Sequence, residues 1–148
     1  FWKRPFLAEK VGVSAEELRP AGMILHYPVI TSGEYAHQDS FHMLLGENYE
    51  NRKDEMSLEH QVSEDTPPAF IWHTNEDKSV PAENSLLLTL ALRRHHIPVE
   101  LHLYAKGGHG LALADKRTMC ADGSGTEKEC TSWVSLAETW LREVVFKA

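Results

Sequence analysis

The alternation of apolar and polar positions divides the chain into short buried strands, two helices and a polar insertion. Residues 21–31, AGMILHYPVIT, form an apolar run rich in strand formers, closed by Pro28 and a Thr-Ser-Gly turn, and predict a first buried parallel strand. Pro67 and Pro68 end the polar stretch that follows, and residues 69–74, AFIWHT, predict a second buried strand. Leucines at 86, 87, 90 and 92 with Ala91 carry a helical period across residues 81–96, with Pro81 as the N-terminal starter. Ile97-Pro98 breaks that helix, and residues 99–104, with Leu101 and Leu103 alternating against His102, predict a third strand.

Strand, helix and strand in so short a span make one right-handed βαβ unit. Trp133, Leu136, Ala137, Trp140, Leu141, Val144 and Val145 then follow the i, i+3, i+4, i+7 rule behind a Thr131 or Ser132 cap. That helix is expected to run nearly to the C-terminus and pack on the sheet. Upstream, Ser14 and Glu17 have capping-box spacing, so a short helix is expected to reach Arg19 and stop before Pro20. In residues 32–66 the period weakens: Phe41, Leu44, Leu45, Met56, Leu58 and Val62 are scattered among polar residues, as in a short-helix insertion lying over one end of a sheet.

Composition narrows the function classes. With 148 residues, 42% hydrophobic and 25% charged, the chain has the size and make-up of one globular α/β domain. A net charge of -7 with no basic run beyond the doublets Lys3-Arg4 and Arg93-Arg94 argues against nucleic acid as a partner. No apolar stretch is long enough for a membrane span. The opening FWKRPFLAEK lacks the apolar core and cleavage site of a signal peptide, and no compartment is implied. Cys120 and Cys130 match no common zinc or redox spacing and read as free thiols, with a disulfide closing the polar loop between them as the alternative. Nine histidines raise the question of a metal, but His95 and His96 are adjacent on one helix, and no H-E-x-x-H pairing occurs, so no metal or cofactor is expected.

Two polar residues stand where chemistry gathers in a parallel sheet, just past the C-terminal ends of strands. Asp77 follows the second strand in D-K-S-V-P, and His109 follows the third in K-G-G-H-G, where glycines at 107, 108 and 110 permit a sharp bend. A histidine so placed can take a proton from a hydroxyl, and an adjacent aspartate fixes its tautomer and stabilises the imidazolium. The third requirement, a serine in a G-x-S-x-G turn, occurs nowhere in the chain. Ser32, Ser79, Ser85 and Ser124 all lack the strand-turn-helix setting such a nucleophile needs.

The segments ILHYPVITSGEYAH, EDTPPAFIWHTNEDKSVPAENSLLL and VELHLYAKGGHGL together resemble the C-terminal half of an α/β-hydrolase. The resemblance is to the acetyl-esterase and feruloyl-esterase-like branch, related to dienelactone hydrolases and prolyl oligopeptidases. It implies a partial α/β-hydrolase fold of about three parallel strands with flanking helices, and a cap-like insertion over residues 32–66. It further implies that Asp77 is the triad acid and His109 the base, with Glu76 the less favoured acid, and that Tyr27 and Pro28 line a substrate pocket. The activity implied is serine ester hydrolysis on acylated carbohydrates or similar small esters, without a cofactor. A serine peptidase of prolyl-oligopeptidase type is the alternative within that class, and a non-catalytic α/β binding module the alternative outside it. Since the H-G-G-G type oxyanion loop and the elbow are both missing, the chain alone is expected to be inactive. Its expected partners are a missing N-terminal half or a second copy joined at an exposed sheet edge.

Overall fold

The computed structural model describes residues 2–147. Three strands, β1 (Met23–His26), β2 (Ala69–Thr74) and β3 (Val99–Tyr104), form one parallel sheet in the order β1-β2-β3. Around them lie helices α1 (Pro5–Val11), α2 (Gln38–Leu45), α3 (Tyr49–Arg52), α4 (Glu83–Arg94) and α5 (Trp133–Trp140).

β2 is buried at every position, because it has a strand on each side and a helix layer on each face. Its alternation sorts the core into two clusters. Phe70 and Trp72 meet Trp133, Ala137 and Trp140 of α5, with the rings of Trp72 and Trp133 stacked at 5.7 Å. Ala69 and Ile71 point the other way, against Leu88, Ala91 and Leu92 of α4. Burying aromatic and branched side chains of this size contributes roughly 1.5–3 kcal/mol each, which makes the two helix faces the main source of the sheet's stability.

The expected strand over residues 21–31 is shorter and more exposed than its sequence suggests. β1 covers only Met23–His26 and is half-buried, since among the described residues its one hydrogen-bonded strand neighbour is β2. It ends because Tyr27 adopts a left-handed backbone, φ 37°, and Pro28 has no N–H to continue the ladder. The Ser14 capping box forms, with the Ser14 amide donating to Glu17 Oε2 at 2.9 Å and the Glu17 amide to Ser14 Oγ at 3.3 Å. It caps only a 3₁₀ turn, Glu16–Leu18. α1 was not expected from the sequence pattern; its residues are all outside the core.

α5 starts without the expected side-chain cap. A 3₁₀ turn, Cys130–Ser132, leads into it, and the Thr131 and Ser132 hydroxyls donate backward to the carbonyls of Lys128 and Glu129. The helix then widens into a π turn over Leu141–Val145. The wider turn shifts the helical register, so Val145 packs on the core while Val144 is left exposed.

Residues 32–66 hold α2, α3 and several 3₁₀ turns between β1 and β2, as an insertion. Asn84, fully buried at the start of α4, fixes the chain where it leaves β1. Its Oδ1 accepts the amides of Ile30 and Thr31, and its Nδ2 donates to the carbonyls of Tyr35 and Pro81. All four hydrogen-bonding positions of the amide are thereby used.

Candidate active site

The loops after β2 and β3 open on the same edge of the sheet because the two strands are adjacent and parallel. Thr74, the last residue of β2, donates through Oγ1 to the Gly107 carbonyl at 2.7 Å, and Glu76 Oε2 accepts the Gly107 amide at 3.2 Å. Two short contacts thus tie the start of the G-G-H-G turn to the acid loop. Gly107 and Gly110 take positive φ, 119° and 79°, whereas Gly108 does not.

The bend brings His109 Nδ1 to 2.7 Å from Asp77 Oδ2. The Asp77 side chain is wholly buried, while that of His109 is 36% exposed, so the imidazole reaches solvent and the carboxylate behind it does not. Oδ1 of Asp77 accepts the amides of Ser79 and Val80, each at 2.9 Å. Burial pushes the Asp77 carboxyl up, but the Val80 amide, His109 and the Ser79 amide together hold it below the ordinary aspartate value. Asp77 is therefore an acceptor-only carboxylate at neutral pH. Its Oδ2 requires Nδ1 of His109 to carry the proton, which leaves Nε2 as the basic nitrogen toward the open side. Asn75, Glu76, Asp77, Lys78 and Gly108 border a cleft of about 520 Å³ beside this pair.

Tyr27 and Pro28 part company. The Tyr27 ring lies edge-on to His109, with centroids 4.7 Å apart. Pro28 instead borders an apolar groove of about 470 Å³ with Met23, Leu25, Val62 and Leu88, on the α4 face of the sheet. The serines weighed in the sequence are also placed. Ser85 hydrogen-bonds His73, Ser32 hydrogen-bonds Ser57, and Ser124 donates to Asp122 in an exposed loop. Glu76, the alternative acid, contacts the Gly107 amide and not the imidazole.

His73 was passed over in the sequence as one residue of a buried strand. It is fully buried on the α4 side, with Nδ1 2.7 Å from Ser85 Oγ and Nε2 2.9 Å from the Val80 carbonyl. A carbonyl only accepts, so Nε2 carries the proton and Nδ1 accepts a hydrogen bond from the Ser85 hydroxyl. Burial lowers the His73 pKa against the opposing pull of the Val80 carbonyl and the Asp77 charge. The available signal was its polarity in an apolar strand, four positions before the aspartate. Among the described residues no group of three or more histidine, cysteine or acidic side chains converges as metal ligands, and no helix is long and apolar enough to cross a membrane.

A profile of the prolyl oligopeptidase family matches residues 21–122, a span that includes β1, β2, β3 and both loops of the pair. The chain belongs to the prolyl oligopeptidase family. This family member is 50% identical over 98 residues to an endo-1,4-beta-xylanase B of Butyrivibrio fibrisolvens, covering 66% of this chain and 15% of that protein. It is 36% identical over 107 residues to an acetylxylan esterase of Xylanibacter ruminicola, covering 68% of this chain and 22% of that protein. In structure it resembles an acetyl ester-xyloside bifunctional hydrolase from Caldicellulosiruptor lactoaceticus, with a TM-score of 0.76 and 41% identity over 88% of this chain and 45% of the other. The parallel sheet and its flanking helices are thus part of an α/β-hydrolase fold. This prolyl oligopeptidase family chain spans less than half the length of each of these three relatives.

Proposed function

We propose that this chain is the C-terminal portion of a serine ester hydrolase acting on acylated carbohydrates or similar small esters, and that it supplies the triad's acid and base. The observation that carries this reading is the 2.7 Å contact between His109 Nδ1 and the buried carboxylate of Asp77 at the ends of neighbouring strands. In the proposed reaction Nε2 of His109 takes the proton from a serine hydroxyl as that oxygen attacks the ester carbonyl. The proton then passes to the leaving alcohol, and Asp77 stabilises the imidazolium in between. The serine and the oxyanion donors lie outside this chain, which contains no G-x-S-x-G sequence. Residues 32–66 serve as the cap that shapes the pocket. The acyl-carbohydrate preference is supported by the similarity to an acetylxylan esterase and an acetyl ester-xyloside hydrolase.

The reading is tested in two steps. A fluorophosphonate probe applied to this chain alone is expected to label no serine; labelling at a defined serine sinks the claim that the nucleophile is supplied from elsewhere. In the complete polypeptide, Asp77→Asn and His109→Ala are expected to reduce kcat on an acetylated xylo-oligosaccharide by on the order of 10³-fold or more, and undiminished turnover refutes the acid and base roles. A peptidase reading is favoured by the family match itself. It is preferred if the same polypeptide cleaves a prolyl peptide substrate and leaves acetyl esters intact.

A further inference from the structure

We propose that Tyr27 is a positioning residue for His109, acting through the base loop and not as a wall of the substrate pocket. The proposal rests on the reading of His109 as the base. Along that strand Met23 and Leu25 pack toward α4, while His26 contacts Trp72 and Trp133 on the α5 side. Strict alternation would send Tyr27 back toward α4. Its φ of 37° breaks the alternation, and the ring joins the α5-side cluster instead, edge-on to Trp72 at 5.2 Å. A bulky residue in the left-handed region is strained and persists only where its surroundings hold it.

Three contacts hold it. The Tyr27 amide donates to the Trp72 carbonyl at 2.8 Å, fixing the strained residue to the central strand. Its hydroxyl accepts the Ala112 amide at 3.1 Å, and its ring packs in a T-shaped contact with His109 at 4.7 Å and 65°. Ala112 is anchored from the other side by Trp133, whose Nε1 donates to the Ala112 carbonyl at 2.9 Å. The base loop is therefore clamped at both ends, at Gly107 by Thr74 and Glu76 and at Ala112 by Tyr27 and Trp133. His109 projects between the two clamps with Tyr27 against one side of its ring. With the hydroxyl used by a backbone amide and the ring wedged between Trp72 and His109, Tyr27 orients the imidazole so that Nδ1 meets Asp77.

The test reads His109 by NMR in this chain with labelled histidine, comparing wild type with Tyr27→Phe and Tyr27→Leu. Wild type is expected to show a single Nδ1–H tautomer and a slowly exchanging proton shared with Asp77. Removing the hydroxyl in Tyr27→Phe releases Ala112, and that proton is expected to exchange about fivefold faster, the equivalent of one ordinary hydrogen bond. Tyr27→Leu removes the ring as well and is expected to give a mixture of tautomers. The backbone amide spectrum reports whether each variant is folded. If Tyr27→Leu does not fold, Tyr27→Phe decides alone. Folded variants whose His109 tautomer and proton exchange match wild type overturn the proposal. None of these signals depends on turnover, so the outcome stands apart from the labelling and kinetic tests of the base itself.

Discussion

His73 Nε2 stands 3.3 Å from Oδ2 of Asp77, the same oxygen that meets His109 Nδ1 at 2.7 Å. One carboxylate oxygen thus faces two histidines, one sealed in the core and one partly exposed to solvent. His73 also bridges Ser85 of α4 to the Val80 carbonyl, so it couples the start of α4 to the turn that carries Asp77. His73→Leu is expected to lower stability by about 1–3 kcal/mol for each group left without a partner. Because Asp77 loses a neighbouring donor, its pKa is expected to rise. Urea denaturation and the carboxyl titration of Asp77 measure the two effects; an unchanged titration would mean that His73 acts on the fold alone.

Stability is expected to fall in two stages on acidification. Burial lowers the pKa of His73 and of His26 from 6.5, so below that value the unfolded chain binds protons that the folded chain refuses. Their effect is absent above 6.5 and destabilises progressively as pH falls toward the folded values. Asp77 has the opposite character. Its folded pKa lies below 3.8, so its stabilising effect is present above 3.8 and is lost as pH falls through the folded value. Urea midpoints followed from neutrality into acid should decline below 6.5 and again in the carboxylate range, and the first decline should shrink in His73→Leu. A flat profile down to the carboxylate range would contradict the assignment of both histidines as neutral, and a first decline unchanged in His73→Leu would contradict it for His73.

The two glycines before His109 should respond differently to alanine. At Gly107, φ is 119°, and an added Cβ would stand 2.9 Å from Leu111 Cδ1 and 3.0 Å from Thr74 Cγ2, so Gly107→Ala is expected to cost about 1–3 kcal/mol. At Gly108 the same methyl meets nothing within 4 Å, and Gly108→Ala should stay within about 0.5 kcal/mol of wild type. Denaturation midpoints compare them directly. Equal losses would show that the turn is not held against Thr74 as described.

The two cysteines should separate by reactivity. Cys120 is exposed, while Cys130 is buried with Sγ 3.6 Å from the Lys106 carbonyl. Burial, aided by the charges of Glu127 and Glu129, pushes the Cys130 thiol up to about 11. A thiol reagent at neutral pH is expected to modify Cys120 in the folded chain and both residues in denaturant. Loss of both thiols without denaturant would mean that the β3-α5 connection opens freely.

Among the described residues no strand pairs with the outer side of β1, and Ile24 on it is 37% exposed. An edge of this kind favours pairing with another chain. Sedimentation is expected to show association that grows with concentration and weakens in Ile24→Lys. A clean monomer at high concentration would count against it.

The central strand, the βαβ unit and the placing of Asp77 and His109 at neighbouring strand ends were legible because each depends on a local pattern and a turn. What stayed hidden depends on partners distant in sequence. His73 reads as one polar residue in an apolar run until Ser85 and Val80 are beside it. Asn84 reads as a helix-start residue, although its amide holds residues 54 and 53 positions away. Tyr27 reads as the continuation of a strand, and only its φ reveals the reversal of its side chain. The register change at the end of α5 was equally silent, since Val144 and Val145 both fit a helical stripe before the π turn moves one of them off it.

Asp77 and His109 are suspended from unequal supports. Asp77 follows β2, whose backbone is bonded on both sides, whereas His109 follows β3, which among the described residues is bonded to β2 alone. Local opening starts where protection is least, so slow hydrogen exchange should concentrate in β2 while the amides of β3 and its following turn exchange earlier. The carboxylate then acts as the stationary member of the pair, and fluctuations in their separation come from the histidine's side.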